Sequence, residues 1–143
     1  MLQTIHSYWA YLVLITLTLA TVNALIKFFT DRPYVGKDFS LALIAFIMMH
    51  IQLLIGIIVY ALNFNGYFEG RTVGEVMESS SLRKVAIEHP ITMIIAVALL
   101  TIGYSKHKKK LVSRPKFRLL SIFYSLALIL VLMMIPWKTW LNL

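Results

Sequence analysis

Apolar residues gather into four runs, 8–26, 39–62, about 85–104 and 119–135, separated by shorter stretches rich in Lys, Arg, Asn and Gly. A helix needs about 20 residues to cross a hydrocarbon layer of roughly 30 Å, and each run is close to that length. None alternates apolar and polar residues as the strands of a membrane barrel do. Lipid leaves no partner for a free N–H or C=O, so the runs are expected to be helices. The third run is the least regular. Residues 90–104 would rise only about 22 Å, and the span reaches roughly 30 Å only if it extends back through His89, Glu88 and Val85-Ala86-Ile87. Pro90 then lies near the helix start, where its missing N–H costs little.

The pattern predicts an all-α integral membrane four-helix bundle, up-down-up-down, in a single domain over residues 1–143. Helices are expected at about 6–29, 39–62, 85–106 and 117–137. A loop at 63–84 joins the second and third, with a short surface helix within 72–81. Composition agrees: 59% of the 143 residues are hydrophobic and 14% charged, against roughly 25% charged in soluble domains.

Fourteen Lys and Arg against six Asp and Glu leave a net charge of +8. Resolved by loop, Lys27, Arg32 and Lys37 fall in or beside 30–38. Lys106, Lys108, Lys109, Lys110, Arg114, Lys116 and Arg118 surround 107–116. The positive-inside rule makes that side cytoplasmic. Loop 63–84 is then periplasmic, both termini face outward, and the compartment is a bacterial inner membrane. The other side carries only Arg71, Arg83, Lys84 and Lys138, against four glutamates. The charge therefore reports orientation and not nucleic acid, and the 106–118 cluster is expected to meet anionic lipid head groups. Met1 to Ile5 lacks a basic segment, so no cleavable leader is expected. Trp9, Trp137 and Trp140 would form an interfacial belt.

With no cysteine, thiolate zinc sites, iron–sulfur clusters and covalently attached haem are excluded. No phosphate-binding glycine loop, His-Glu-x-x-His helix or serine-nucleophile elbow occurs. What remains is a few ionisable groups inside spans, where such residues are costly and mark function. His50 lies mid-way along the second span, with Gln52 nearby. His89 lies just inside the third, beside Glu88, and His6 opens the first. His107, among the lysines, is expected to be solvated.

Counting about 1.5 Å per residue from Phe28, Phe39 and Tyr104 puts His50 roughly 16 Å up, His89 roughly 22 Å and His6 roughly 33 Å. His50 and His89 are therefore the expected pair, suited to axial ligation of b-type haem. Small residues near them (Thr92, Ala96 and Gly103; Ala10, Thr16 and Ala20; Gly56) would either seat a flat macrocycle or pack helices closely. Gln52 would tune the site, with Arg71, Arg83 or Lys84 pairing the haem propionates. A three-histidine copper or zinc site from His6, His50 and His89 is a chemical alternative.

Several segments together resemble the small four-span, cytochrome b-like inner-membrane proteins of Bacteroidota. They are His6-Ser7 before Trp9 and Tyr11, the run from His50 to Gly56, Glu88-His89 before Ile91-Thr92-Met93, Leu100 to Gly103, and Ile135-Pro136-Trp137. The resemblance covers nearly the whole chain and implies a b-type cytochrome. A basic residue that the family carries shortly after its first His-Ser-Trp block is missing here. A weaker similarity is to four-helix protoporphyrinogen oxidases. Three functions follow as expectations. The first is haem b passing electrons between quinol and a partner redox protein. The second is a cofactor-free subunit of a larger inner-membrane complex, and the third a haem-biosynthesis oxidase. Whether the chain is an enzyme stays open at this point.

Overall fold

The computed structural model describes residues 1–140. Helix α1 spans Leu2–Phe29 and α2 Gly36–Phe68. Two short helices follow, α3 at Val73–Glu78 and α4 at Ser80–Arg83. A π-helical turn, Lys84–Glu88, leads into α5 at His89–Lys108. Helix α6 spans Ser113–Met134 and α7 Trp137–Trp140. The described residues contain no strand. Four stretches, Leu2–Phe29, Gly36–Phe68, Ser80–Lys108 and Ser113–Met134, are long and apolar enough to cross a membrane. As expected from the sequence, the protein is an all-α four-helix bundle of membrane-protein type.

The helices close a ring in which α1 packs on α2 and α6, and α5 packs on α6 and α2. Hence α1 faces α5, and α2 faces α6, across the bundle axis. One end of the bundle carries His6 and His89; the other carries the lysine cluster. Outward faces are apolar, as Leu12, Ile15, Leu19, Val22 and Ile26 of α1 show. Such a surface requires lipid around it.

The buried stripe recurs at helical spacing: Val13, Leu17, Ala20 and Ala24 on α1, Phe117, Leu120, Tyr124, Ala127 and Val131 on α6. Ala96 and Leu100 of α5 are fully enclosed. Small residues bring the backbones together, the means by which membrane helices associate without a hydrophobic driving force between them. Gly103 shows how closely. A Cβ built there would collide with the Phe123 Cβ on α6, so the small α5 stripe is spent on helix contact. We expect Gly103→Ala to force α5 and α6 apart and cost about 2 kcal/mol, in the range of core overpacking. Denaturant titration in mixed micelles checks this, and an unchanged midpoint would contradict it.

Helices α1, α2 and α6 begin three or four residues before the expected 6, 39 and 117, and the connection from α2 to α5 differs more. Helix α2 continues six residues past 62, through the start of the expected loop. Asn63 does not end it, because its amide bonds the Val59 carbonyl one turn back at 2.8 Å. Tyr60, Phe64 and Phe68 then stack at i, i+4 spacing, with centroids 6.1 and 4.9 Å apart. The helix stops at Gly70, whose φ of +70° suits glycine. The Arg71 guanidinium covers the Gly66 carbonyl. The expected surface helix divides into α3 and α4. Thr72 caps α3 by accepting from the Glu75 N–H, and Glu75 returns the bond to the Thr72 N–H.

The turn after α1 uses Asp31 at φ +54°, with the Arg32 N–H on the Lys27 carbonyl at 3.0 Å. This is a Schellman closure carried by aspartate instead of glycine.

Candidate functional site

The histidine end is assembled from three spans. Proline lacks an N–H, so Pro90 leaves the Ala86 carbonyl without its helical donor, and its ring crowds that carbonyl. The chain widens to a π turn through Lys84–Glu88, closed by the His89 N–H on the Lys84 carbonyl. The Tyr60 hydroxyl of α2 donates to the freed Ala86 carbonyl at 3.0 Å. This widened turn presents His89 to the bundle interior. Its ring lies edge-on to that of His6, with centroids 6.1 Å apart, and faces the Met134 carbonyl at the open end of α6. The two imidazoles come from α1 and α5, the helices opposed across the axis.

Gln52 donates to the His6 backbone carbonyl at 2.9 Å, which fixes α1 against α2 at this level. Gly56, one turn further, makes room for the ring: a Cβ there would stand 3.1 Å from His6 Cε1. At this end of the bundle two buried polar atoms are left without a hydrogen-bond partner, His6 Nδ1 and Gln52 Oε1. Buried polar atoms are rarely unpaired, and each such exception calls for a reason.

His50 lies elsewhere. Its Nδ1–H donates to the Phe46 carbonyl at 2.7 Å. Its Nε2 lies 3.2 Å from the Thr101 hydroxyl, which itself donates to the Val97 carbonyl at 2.7 Å. Thr101 is twelve residues beyond His89, roughly 18 Å along α5, so the structure does not bring His50 and His89 together. Counting depth from Phe39 and Tyr104 misplaced them because Tyr104 packs on Phe46 as well, with centroids 4.3 Å apart. Helix α5 is thus shifted along α2 toward the histidine end. His6, counted as the outlier, is brought beside His89. The contact of Asn23 with Asp38 sets α1 about one turn lower against α2 than aligning Phe28 with Phe39 implies. No group of three or more metal-binding side chains converges among the described residues, which disfavours a three-histidine site.

Of the three bases expected to meet propionates, two are occupied within the protein. Arg71 caps α2. Arg83 pairs with Glu88 at 2.8 Å and donates to the Met77 carbonyl. Lys84 opens the π turn and is exposed.

The basic end holds a second polar cluster that the sequence reading passed over. Asp38 is 1% exposed. It accepts from Asn23 at 2.8 Å, Lys27 at 2.9 Å and the Val35 N–H at 2.8 Å. The signal was an Asn23/Lys27 pair at i, i+4 on α1, opposite an aspartate at the third position of α2. His107 corrects an expectation: it is fully buried, not solvated. The lysines beside it point outward, while its own face of α5 turns toward α6 and the loop after α1. Its Nδ1–H donates to the Tyr104 carbonyl, and its Nε2 lies 2.9 Å from the Tyr34 hydroxyl.

Burial, then the nearby Asp38 carboxylate, pushes the Tyr34 phenol up to about 12. Tyr34 therefore stays protonated and donates to His107. A pKa raised in the folded state means its contribution is complete below the ordinary tyrosine value near 10 and is lost as pH rises toward 12. We expect alkaline unfolding in that window to be shallower for Tyr34→Phe, measured as stability against pH in detergent. An identical slope would exclude Tyr34 as a contributor.

Comparison with protein-family models, characterised proteins and solved structures returns no match.

Proposed function

We propose that the chain is a b-type haem protein of a bacterial inner membrane, ligating the haem with His6 and His89 and passing single electrons between quinol and a partner redox protein. One observation carries the reading. Two imidazoles from opposed helices meet on the bundle axis, and one of them has a buried nitrogen with no partner. Two neutral histidines from different helices are a suitable axial donor set. Gly56 leaves the space that the His6 ring occupies, which a larger residue would take. When bound, haem iron would supply the one-electron chemistry. The chain would hold it, exclude water and orient the ligands: Gln52 fixes the height of His6, and Tyr60 with the π turn fixes His89. His50 binds the Phe46 carbonyl through Nδ1 and rests against Thr101 with Nε2, and is better read as a contact between α2 and α5. By the charge asymmetry, the histidine end would face the periplasm. The test is an absorption spectrum of the purified protein, oxidised and dithionite-reduced, after expression with haem precursor. A Soret band with a split reduced α/β pair is expected, and no Soret band would overturn the proposal.

A second reading, an accessory subunit of a larger membrane complex, has its own support. The last turns of α2 leave Leu62 and Phe64 exposed at 69% and 48%. Colourless protein that co-purifies at fixed stoichiometry would decide for it.

A further inference from the structure

Pro136 stops α6 at Met134. A residue before proline is pushed out of the α region, and Ile135 accordingly has φ −67° and ψ 131°, with its side chain buried. Proline also lacks the N–H that would carry the helix on from the Leu132 carbonyl. That carbonyl is capped instead by the Trp137 indole N–H at 2.9 Å, and the Trp137 backbone N–H closes on the Ile135 carbonyl at 2.9 Å. Both donors of Trp137 are thus spent on either side of Met134. Among the described residues no backbone N–H reaches the Met134 carbonyl from beyond the helix end.

We propose that Ile135-Pro136-Trp137 is a positioning motif for His89: by stopping α6 it leaves the Met134 carbonyl free to accept one ring N–H of His89, which fixes the tautomer and turns the bare ring nitrogen toward His6. That purpose rests on the haem proposal above; the hydrogen bond itself does not. The register of the two helices puts the groups at one level. From the contact of Gly103 with Phe123, His89 lies roughly 21 Å back along α5 and Met134 roughly 17 Å on along α6, a difference of less than one helical turn. The His89 ring faces that carbonyl, and the His6 ring stands edge-on to it at 6.1 Å. A neutral imidazole carries its proton on either nitrogen, and only the bare one can bind iron. A backbone carbonyl that holds the N–H selects the productive form and makes the bare nitrogen a stronger donor.

Two measurements test this. The first is nitrogen NMR of the full chain in detergent without haem, its histidines labelled with heavy nitrogen and His89 assigned by its absence from His89→Gln. His89 is expected to show one protonated and one bare nitrogen. In Pro136→Ala an N–H returns to the Leu132 carbonyl, α6 can continue through Ile135, and the Met134 carbonyl is drawn to the Lys138 N–H; the two His89 nitrogens should then average. The second is the reduction potential of the haem-loaded protein. Pro136→Ala should keep its Soret band but move the equilibrium about tenfold toward ferrous iron, about 59 mV for one electron, because the weaker ligand stabilises ferric iron less. Trp137→Phe uncaps only the Leu132 carbonyl and should leave both readouts as in wild type. The inference is overturned if His89 averages its tautomers in the wild-type chain, if Pro136→Ala leaves the tautomer or the potential unchanged, or if Trp137→Phe shifts them as much. A fixed tautomer in a chain that shows no Soret band would overturn the haem proposal and leave the hydrogen bond standing.

Discussion

Replacing Asp38 by alanine should destabilise the bundle by about 3 kcal/mol, the low end of the cost of removing one partner from a buried ion pair. The carboxylate is wholly enclosed, and Lys27 keeps 20% of its side chain exposed. Lys27 can therefore recover some hydration, which is why the low end applies. The Asn23 amide and the Val35 N–H each lose an acceptor at 2.8 Å as well. Asp38 also joins the first turn of α2 to the last turns of α1, so its loss should loosen the Thr30–Val35 connection. Tyr34 in that connection reaches His107 and, through its N–H, the Ser113 hydroxyl at 2.8 Å. Asp38→Asn keeps one acceptor and should fall between wild type and alanine. Lys27→Met with Asp38→Leu should recover much of the loss, because replacing both members of a buried pair with apolar groups is often near neutral. The readout is the denaturant midpoint in mixed micelles. A shift below about 0.5 kcal/mol for Asp38→Ala, the ordinary size of a surface change, would show that the pair is not structural.

The spans were legible because hydropathy acts over twenty residues, and no local detail outweighs the cost of an unpaired backbone in lipid. The relative height of the helices was not. Height is set by side-chain contacts such as Tyr104 on Phe46 or Asn23 on Asp38, and a shift of one turn costs nothing in hydropathy. That shift moved His89 away from His50 and toward His6. The lysine cluster likewise gave the wrong surroundings for His107, since neighbours in sequence point around the helix at 100° intervals and only one face meets Tyr34. The end of α2 was misread because Asn63 and Gly66 look like loop residues, yet the aromatic spacing of Tyr60, Phe64 and Phe68 is helical. Pro90 was correctly placed near a helix start. The widened turn it produces depends on the Tyr60 hydroxyl, which no local pattern announces.

Single-histidine variants should separate the two ligand pairs sharply. His6→Ala and His89→Ala are each expected to abolish or strongly deplete the Soret band, whereas His50→Ala should retain it. The argument is geometric. His6 and His89 approach to 6.1 Å across the axis, while His50 has Nδ1 on Phe46 and lies beside Thr101, roughly 18 Å along α5 from His89. Removing His50 should instead lower stability by about 1 kcal/mol, the net worth of a hydrogen bond. Gly56→Leu supplies a second route to the same conclusion. It leaves every histidine in place but drives a side chain into the His6 ring, where even a Cβ would stand at 3.1 Å. It should therefore deplete the band with little change in helicity. Imidazole added to His6→Gly should restore part of the absorbance, which a merely structural role for His6 does not predict. The reverse pattern, with colour lost in His50→Ala and kept in His6→Ala, would return the site to the middle of the membrane. It would also mean that α2 and α5 slide past one another by about three turns when haem binds, a displacement the Tyr60–Ala86 and Tyr104–Phe46 contacts oppose.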